Sequence, residues 1–211
     1  MTARVAILDY GMGNLRSVEK ALERVGAEVE RATGVEQAAE ADGLVLPGVG
    51  AFPEAMRRLS AQGFDGLCAE WAGAGKPLLG VCLGMQLLFE SSTENGGTDG
   101  LGLLEGEVTE LDAPGLKVPH IGWEPVRWER QSRVVGELAG DGASCFYFAH
   151  SFAARPANSA DAVGTAEWGE RFAAVVERDS VVGAQFHPEK SSASGLALLR
   201  NFVESCAPVA A

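Results

Sequence analysis

The fold of this chain is decided by one stretch between an apolar strand and a helix, Pro77-Leu78-Leu79-Gly80-Val81-Cys82-Leu83-Gly84-Met85-Gln86. A nucleophile with a glycine two residues to either side, placed between a strand and a helix, is the sequence form of a nucleophile elbow. Side chains at positions 80 and 84 would collide with neighbouring backbone in such a turn, so glycine suits both. The N-terminus of the following helix favours a thiolate at Cys82. The stretch predicts a nucleophilic cysteine, and an ordinary turn with a buried cysteine is the alternative.

The N-terminal part alternates between apolar runs and amphipathic segments. Leu15, Val18 and Leu22 recur at spacings of three and four, and Asn14 is suited to cap that helix. The pattern predicts strands over residues 5–9, 27–31 and 43–46, and helices over residues 15–25, 35–39, 53–59 and 64–74. Alternation of this kind indicates a parallel sheet with helices on both faces.

The pattern changes after residue 91. Residues 91–102 are polar and rich in glycine, which predicts a loop. Short strands are predicted over residues 106–111, 125–128, 143–148, 172–178 and 181–186, followed by a final helix over residues 194–205. We therefore expect an α/β fold with an open, twisted, mostly parallel, flavodoxin-like sheet, extended by mixed or antiparallel strands in the C-terminal half.

Length and charge limit the function. The 211 residues suit one domain, residues 1–211, and the net charge of −12 without a run of Lys or Arg argues against nucleic acid as a partner. The first apolar run is too short for a signal peptide, and no apolar window approaches the roughly 20 residues that cross a bilayer. We expect a cytoplasmic protein that does not bind membranes.

Neither a metal nor a cofactor is expected. The four cysteines form no C-x-x-C pair, and the three histidines lack metal-ligand spacing. Gly11-Met12-Gly13 could begin a dinucleotide fingerprint, but Arg16 stands where the third glycine is needed. We interpret this turn as a loop at the carboxyl end of the first strand.

A base for the cysteine is predicted at His187-Pro188-Glu189, after the strand of residues 181–186. A nucleophilic cysteine needs a base to take its proton and a third group to orient that base. In extended chain, residues 187 and 189 point to the same side, so Glu189 could orient His187. The backbone N–H of Leu83 is a natural oxyanion donor, and the glycine-containing loop of residues 47–52 could supply a second.

Six segments of the chain, collinear over nearly its whole length, carry a resemblance to a known family. They resemble the class I (triad) glutamine amidotransferases, and within that family they are most similar to the glutaminase subunits of imidazole glycerol phosphate synthases, enzymes of histidine biosynthesis. The segments are Asp9-Tyr10-Gly11-Met12-Gly13-Asn14-Leu15, residues 46–52, residues 80–88, Pro119-His120-Ile121-Gly122-Trp123, residues 147–152 and Gln185-Phe186-His187-Pro188-Glu189-Lys190-Ser191.

The resemblance implies a reaction and a set of site residues. Cys82 would attack the side-chain amide of glutamine, His187 would pass a proton to the departing ammonia, and Glu189 would hold His187. Water would then convert the glutamyl thioester to glutamate. Val49 or Gly50 with Leu83 would form the oxyanion hole, and the glutamine pocket would be lined by Gln86, Ser151 and Phe152.

The resemblance also implies a partner, a (βα)8-barrel cyclase in a heterodimer. That subunit combines ammonia with a phosphoribulosyl-formimino aminoimidazole carboxamide ribonucleotide, giving imidazole glycerol phosphate and aminoimidazole carboxamide ribonucleotide. The chain departs from the family at Glu124, where asparagine is usual, which bears on docking and not on the triad. Candidate docking residues are Asn14, Trp123, Tyr147 and Lys190, with a core position as the alternative for Trp123.

Three other functions stay open at the level of sequence. The chain could be the glutaminase of another pathway, such as anthranilate, aminodeoxychorismate or pyridoxal phosphate synthesis. It could be a cysteine hydrolase of esters or peptides, which shares the elbow. It could also be a non-catalytic subunit that stabilises a synthase.

Overall fold

A computed structural model of the chain describes residues 2–139 and 144–207. The N-terminal part alternates strands and helices in the order β1 (Arg4–Leu8), α1 (Leu15–Arg24), β2 (Glu28–Ala32), α2 (Val35–Ala39), β3 (Gly43–Leu46), α3 (Phe52–Ala61), α4 (Phe64–Gly73), β4 (Leu78–Val81) and α5 (Leu83–Leu87). The rest contains β5 (Phe89–Ser92), β6 (Thr98–Asp99), β7 (Leu104–Glu110), β8 (His120–Trp128), β9 (Ser144–His150), β10 (Phe152–Pro156), β11 (Ala162–Trp168), β12 (Glu170–Arg178), β13 (Val181–Ala184) and α6 (Ser192–Cys206).

The strands form two sheets. The larger has nine strands in the order β2-β1-β3-β4-β13-β12-β11-β8-β9, and the smaller has four in the order β10-β7-β5-β6. From β2 to β13 neighbouring strands are parallel, and from β13 to β9 they are antiparallel. The predicted fold class, a parallel sheet with an antiparallel extension, is confirmed.

Helices cover both faces of the parallel part because its inner strands β1, β3, β4 and β13 are apolar on both sides. In β1, Val5 and Ile7 lie in the same buried core as α1 and α6, whereas Ala6 and Leu8 lie in the core that includes α3 and α4. Successive side chains of a strand point to opposite faces, so a continuous apolar run must be covered twice. In the part of the chain that the structure describes, no helix is long and apolar enough to cross a membrane.

The structure differs from the local predictions in several places. Residues 91–102 are not one loop, because the end of β5 and all of β6 lie there and pair with each other. Asn14 precedes α1, but its side chain makes no capping bond, and its carbonyl oxygen instead accepts the N–H groups of Ser17 and Val18. The strand predicted over residues 143–148 is β9, and Ala143 lies outside the described residues.

Candidate active site

The nucleophile elbow lies between β4 and α5. Cys82 has φ 53° and ψ −110°, a left-handed backbone region that side-chain-bearing residues rarely adopt. A Cβ atom at Gly84 would lie 1.8 Å from the carbonyl oxygen of Leu46, and one at Gly80 would lie 2.6 Å from the carbonyl oxygen of Gly84. Both glycines are therefore required by the backbone that surrounds the turn.

Sheet topology brings His187 to the elbow. Strands β4 and β13 are parallel neighbours, and the N–H of Cys82 donates to the carbonyl oxygen of Ala184 at 2.8 Å. Three residues later, the N–H of His187 donates to the carbonyl oxygen of Tyr147 at 2.9 Å. The cysteine and the histidine thus leave adjacent strands at the same edge of the sheet.

The imidazole of His187 is paired with the carboxylate of Glu189. Nδ1 of His187 lies 2.9 Å from Oε1 of Glu189, and their side chains are 6% and 1% exposed. The segment is not extended as predicted, because Pro188–Lys190 forms a short 3-10 helical turn that brings the carboxylate back to the ring. Ser191 stabilises this turn, since its hydroxyl donates to the carbonyl oxygen of His187 at 2.6 Å.

The electrostatics of His187 favour its protonated form. Burial alone lowers the pKa of this imidazole, but hydrogen bonds with Cys82 and Glu189 raise it to about 9. The Cys82 sulfur is also close to two polar groups, because Nε2 of Gln185 donates to it at 3.8 Å and the thiol donates to the carbonyl oxygen of Ala149 at 3.9 Å. The arrangement can hold a protonated imidazole beside the Cys82 sulfur.

A cavity of about 370 Å³ opens at Cys82 and His187. It contains the predicted oxyanion and pocket residues, and Pro119, Ala149 and His150 complete its wall together with Glu94 and Lys190. The lining is Val49, Gly50, Cys82, Leu83, Gln86, Glu94, Pro119, Ala149, His150, Ser151, Phe152, His187 and Lys190. The volume suits a ligand the size of one amino acid.

Gln86 is buried at this cavity and does not face solvent. Its Nε2 atom donates to the carbonyl oxygen of Phe152 at 2.8 Å and to Oε1 of Gln185 at 3.1 Å. Gln185 in turn donates to the Cys82 sulfur. One turn of helix after the nucleophile, Gln86 therefore ties α5 to the start of β10.

Glu94 was not among the residues predicted from the sequence. This residue lies between β5 and β6, in the stretch predicted to be a loop, and its Oε2 atom accepts the N–H of Phe52 at 2.8 Å. Of the described residues that line the cavity, Glu94 alone carries a carboxylate. Its polar, glycine-rich surroundings contain no periodic pattern that could have identified it.

Three of the predicted docking residues, Trp123, Tyr147 and Lys190, lie together at the surface, and Lys190 also lines the cavity. The Trp123 side chain is 50% exposed, which excludes the core position considered for it. Its ring centre lies 6.1 Å from that of Tyr147, and Nζ of Lys190 lies 5.7 Å from the Tyr147 ring centre. Asn14 is exposed at the start of α1. Trp123, Tyr147 and Lys190 form one contiguous aromatic and basic group, called the aromatic patch below.

The fold and the sequence are those of a known family. Residues 6–206 match the family described as glutamine amidotransferase class-I, and the chain belongs to this family. Two solved structures have similar folds. One is titled "Structure of PurLQS from Thermotoga maritima", with a TM-score of 0.77 at 20% identity over 97% of this chain and 99% of that one. The other, titled "Crystal structure of glutamine amidotransferase", has a TM-score of 0.75 at 22% identity over 96% and 98%.

Relatives with higher identity share one name, imidazole glycerol phosphate synthase subunit HisH. The protein of that name from Moorella thermoacetica is 48% identical over 200 residues, covering 95% of this chain and 94% of the relative. The one from Aquifex aeolicus is 47% identical over 201 residues, covering 94% and 95%. The similarity therefore extends over nearly the whole length of both chains.

Proposed function

We propose that this chain is the glutaminase subunit of an imidazole glycerol phosphate synthase. It hydrolyses glutamine and delivers the ammonia to a cyclase partner in histidine biosynthesis. The name shared by the relatives supports the pathway. The observation that carries the chemistry is the imidazole of His187, hydrogen-bonded with Glu189 and placed with Cys82 at the wall of one cavity.

The first chemical step forms a thioester. Because Glu189 accepts the Nδ1 proton of His187, the other ring nitrogen is free to take the proton of Cys82. The thiolate attacks the side-chain amide carbon of glutamine, and the carbonyl oxygen becomes an oxyanion. The N–H of Leu83 and a peptide N–H at Val49 or Gly50 stabilise that charge in the transition state.

Collapse of the tetrahedral intermediate breaks the C–N bond. The imidazolium of His187 gives its proton to the leaving nitrogen, which departs as ammonia and leaves a γ-glutamyl thioester on Cys82. A water molecule then loses a proton to His187 and attacks the thioester carbon. Glutamate and the free thiol are the products, so one imidazole serves both halves of the reaction.

The charges of free glutamine suggest how the cavity orients it. The carboxylate of Glu94 is suited to the α-ammonium group, because opposite charges attract strongly in a partly buried site. Gln86 and the segment of Ser151 and Phe152 bind the rest of the amino acid. These contacts place the side-chain amide of glutamine, and not its α-carboxylate, at Cys82.

The aromatic patch, with Asn14, is the proposed docking surface for the cyclase, a (βα)8-barrel, in a heterodimer. An exposed tryptophan beside a tyrosine and a cation is typical of an interface anchor. Ammonia released into neutral water is soon protonated, so direct transfer to a docked partner preserves the nucleophile. We place the reaction in the cytoplasm, where a catalytic thiol is kept reduced.

Coupled turnover tests this function. Glutamate release is measured for the chain alone and with the cyclase and its nucleotide substrate, and we expect a strong rise with the partner. Cys82→Ala should abolish release, whereas Cys145→Ser changes an exposed thiol outside the cavity and should release glutamate at the wild-type rate. Undiminished release by Cys82→Ala would disprove the mechanism.

A further inference from the structure

Two buried histidines, one in the wall of the cavity and one behind it, take no part in the proposed chemistry. His120 begins β8 and His150 ends β9, and the two residues are register partners. Nδ1 of His120 lies 3.3 Å from Nε2 of His150, and Nδ1 of His150 lies 2.9 Å from the carbonyl oxygen of Phe152. The side chains form a continuous chain of polar contacts to Phe152.

The direction of these hydrogen bonds follows from the carbonyl group, which can only accept. Nδ1 of His150 must therefore carry a hydrogen, and in a neutral ring Nε2 is then the acceptor. Burial lowers the pKa of His120 to about 4 and that of His150 to about 3, so both rings are neutral near pH 7. Nδ1 of His120 is consequently the donor to His150.

The carbonyl group of Phe152 receives a second hydrogen bond, from Nε2 of Gln86 at 2.8 Å. It is thus held from α5 on one side and from the histidine pair on the other. Gln86, His150 and Phe152 all line the cavity, but His120 does not. The hydrogen bond to His150 is therefore a path by which His120 can affect glutamine binding.

We propose that His120 is a positioning residue for glutamine binding: by donating to His150 it fixes the ring that holds the Phe152 carbonyl group, and with it the Ser151–Phe152 wall of the cavity. The binding role of this inference rests on the proposed glutaminase function. The hydrogen-bond order does not, because it follows from the contacts and from the neutral state of the two buried rings.

The surroundings of His120 allow the effect of its hydrogen-bond donor to be tested separately from the effect of its size. Its ring stacks between Trp168, with ring centres 4.2 Å apart, and Phe148, at 5.2 Å. A phenylalanine at position 120 keeps this stacking but has no donor for His150. An asparagine is smaller but places an amide N–H near the position of Nδ1.

The first test compares these variants in the complex with the cyclase. We expect His120→Phe to raise the KM for glutamine about tenfold, the cost of an unpaired buried acceptor, with kcat within about twofold of wild type. His120→Asn should recover much of the affinity. As a packing control, Trp168→Phe keeps a ring against His120, and its KM should stay near wild type. An unchanged KM in His120→Phe overturns the positioning role.

The second test does not depend on turnover. The chain has three histidines, so ring 15N signals can be assigned by single substitutions. We expect His120 and His150 each to carry their hydrogen on Nδ1 in the isolated chain. A hydrogen on Nε2 of His150 overturns the inference even if glutamine is the substrate, and the expected tautomers remain measurable if it is not.

If His120→Phe fails to fold, the variant Glu124→Gln tests the same direction of the hydrogen bond between His120 and His150. Nε2 of His120 has no hydrogen-bond partner within residues 2–139 and 144–207, and Oε1 of Glu124 lies 4.0 Å from it. If that nitrogen is an acceptor, Glu124→Gln supplies an amide donor and should raise the melting temperature. A lower melting temperature would mean that Nε2 is the donor, and the inference would be wrong.

Discussion

The carboxylate of Glu189 lies 2.9 Å from Nδ1 of His187, although Pro188 alone separates the two residues. The base and the group that orients it therefore come from one rigid turn, and their relative position does not depend on packing between distant elements. Cys82 is the only member of the proposed triad that tertiary structure must bring to this turn.

Glu189→Gln should lower kcat at least a hundredfold with little change in the fold. An amide can donate to Nδ1, which would place the ring hydrogen on the nitrogen that must face Cys82. Loss of the Glu189 carboxylate also removes a hydrogen bond that raises the pKa of His187, so the pKa of His187 should fall. Glutamate release in the complex and 15N titration of His187 measure the two effects. Glu204→Gln, exposed on α6, is the matched control.

Glu94→Gln should raise the KM for glutamine by about tenfold or more while kcat changes less. The amide oxygen can still accept the N–H of Phe52, so the local turn is kept, but the negative charge opposite the α-ammonium group is lost. Steady-state kinetics in the complex with the cyclase measure the changes in KM and kcat separately. Glu107→Gln removes an exposed carboxylate on β7 and should leave KM unchanged. Equal KM values for the two variants would remove Glu94 from the binding site.

Trp123→Ala should weaken binding to the cyclase about 30-fold, the loss of roughly 2 kcal/mol typical of a central aromatic anchor. The side chain is half exposed, so the free subunit should keep its stability. Titration calorimetry gives the affinity. Val35→Ala truncates an exposed apolar side chain on α2, next to the opposite margin of the nine-stranded sheet, and serves as control. Similar affinities for both variants would place the interface elsewhere.

Gly84→Ala should destabilise the chain by at least about 2 kcal/mol, because its Cβ would lie 1.8 Å from the Leu46 carbonyl oxygen. Backbone on both sides must shift to relieve this overlap. Gly66→Ala is the contrasting variant, since a Cβ there meets nothing within 4 Å inside α4. It should add up to about 1 kcal/mol through helix propensity. Denaturant unfolding of both variants measures the difference, and similar midpoints would refute the prediction.

The free energy of unfolding should decrease when the pH is lowered below about 6.5 and also when it is raised above it, because different histidines titrate on the two sides. The pKa values of His120 and His150, about 4 and about 3, lie below the unfolded value near 6.5, so stability falls as the pH drops through this range. The pKa of His187, about 9, lies above it, so its stabilisation is complete below pH 6.5 and is lost as the pH rises towards 9.

Urea midpoints from pH 4.5 to 9 measure both slopes. His120→Phe should flatten the acidic side and leave the alkaline side unchanged, and His187→Gln should do the reverse. An acidic slope that is the same in His120→Phe and wild type would contradict the assignment of a neutral, buried His120.

The sequence predicted the parallel half of the fold well because its strands are continuous apolar runs. The strand predicted over residues 43–46 has the observed bounds of β3, and residues 35–39 form α2 as predicted. Strands β10 and β11 were not predicted. Their small and polar residues do not alternate regularly, and pairing with β7 and β12 decides their structure.

Residues of the candidate site that stand in short sequence motifs could be predicted from the sequence. Residues that reach the site only through the folding of distant segments could not. Cys82, His187 and Glu189 stand in short motifs, and their catalytic roles remain predictions. Glu94 reaches the cavity only because the segment around β5 and β6 folds over α3. The contact between His120 and His150 depends on the register of β8 with β9, which neither motif specifies alone.

Ser151 is the single residue between β9 and β10, so the chain passes from the nine-stranded sheet to the four-stranded sheet within one peptide unit at the cavity. The wall of the cavity at Ser151 and Phe152 is thus also the junction of the two sheets, and a substitution there alters the packing of both sheets as well as the pocket.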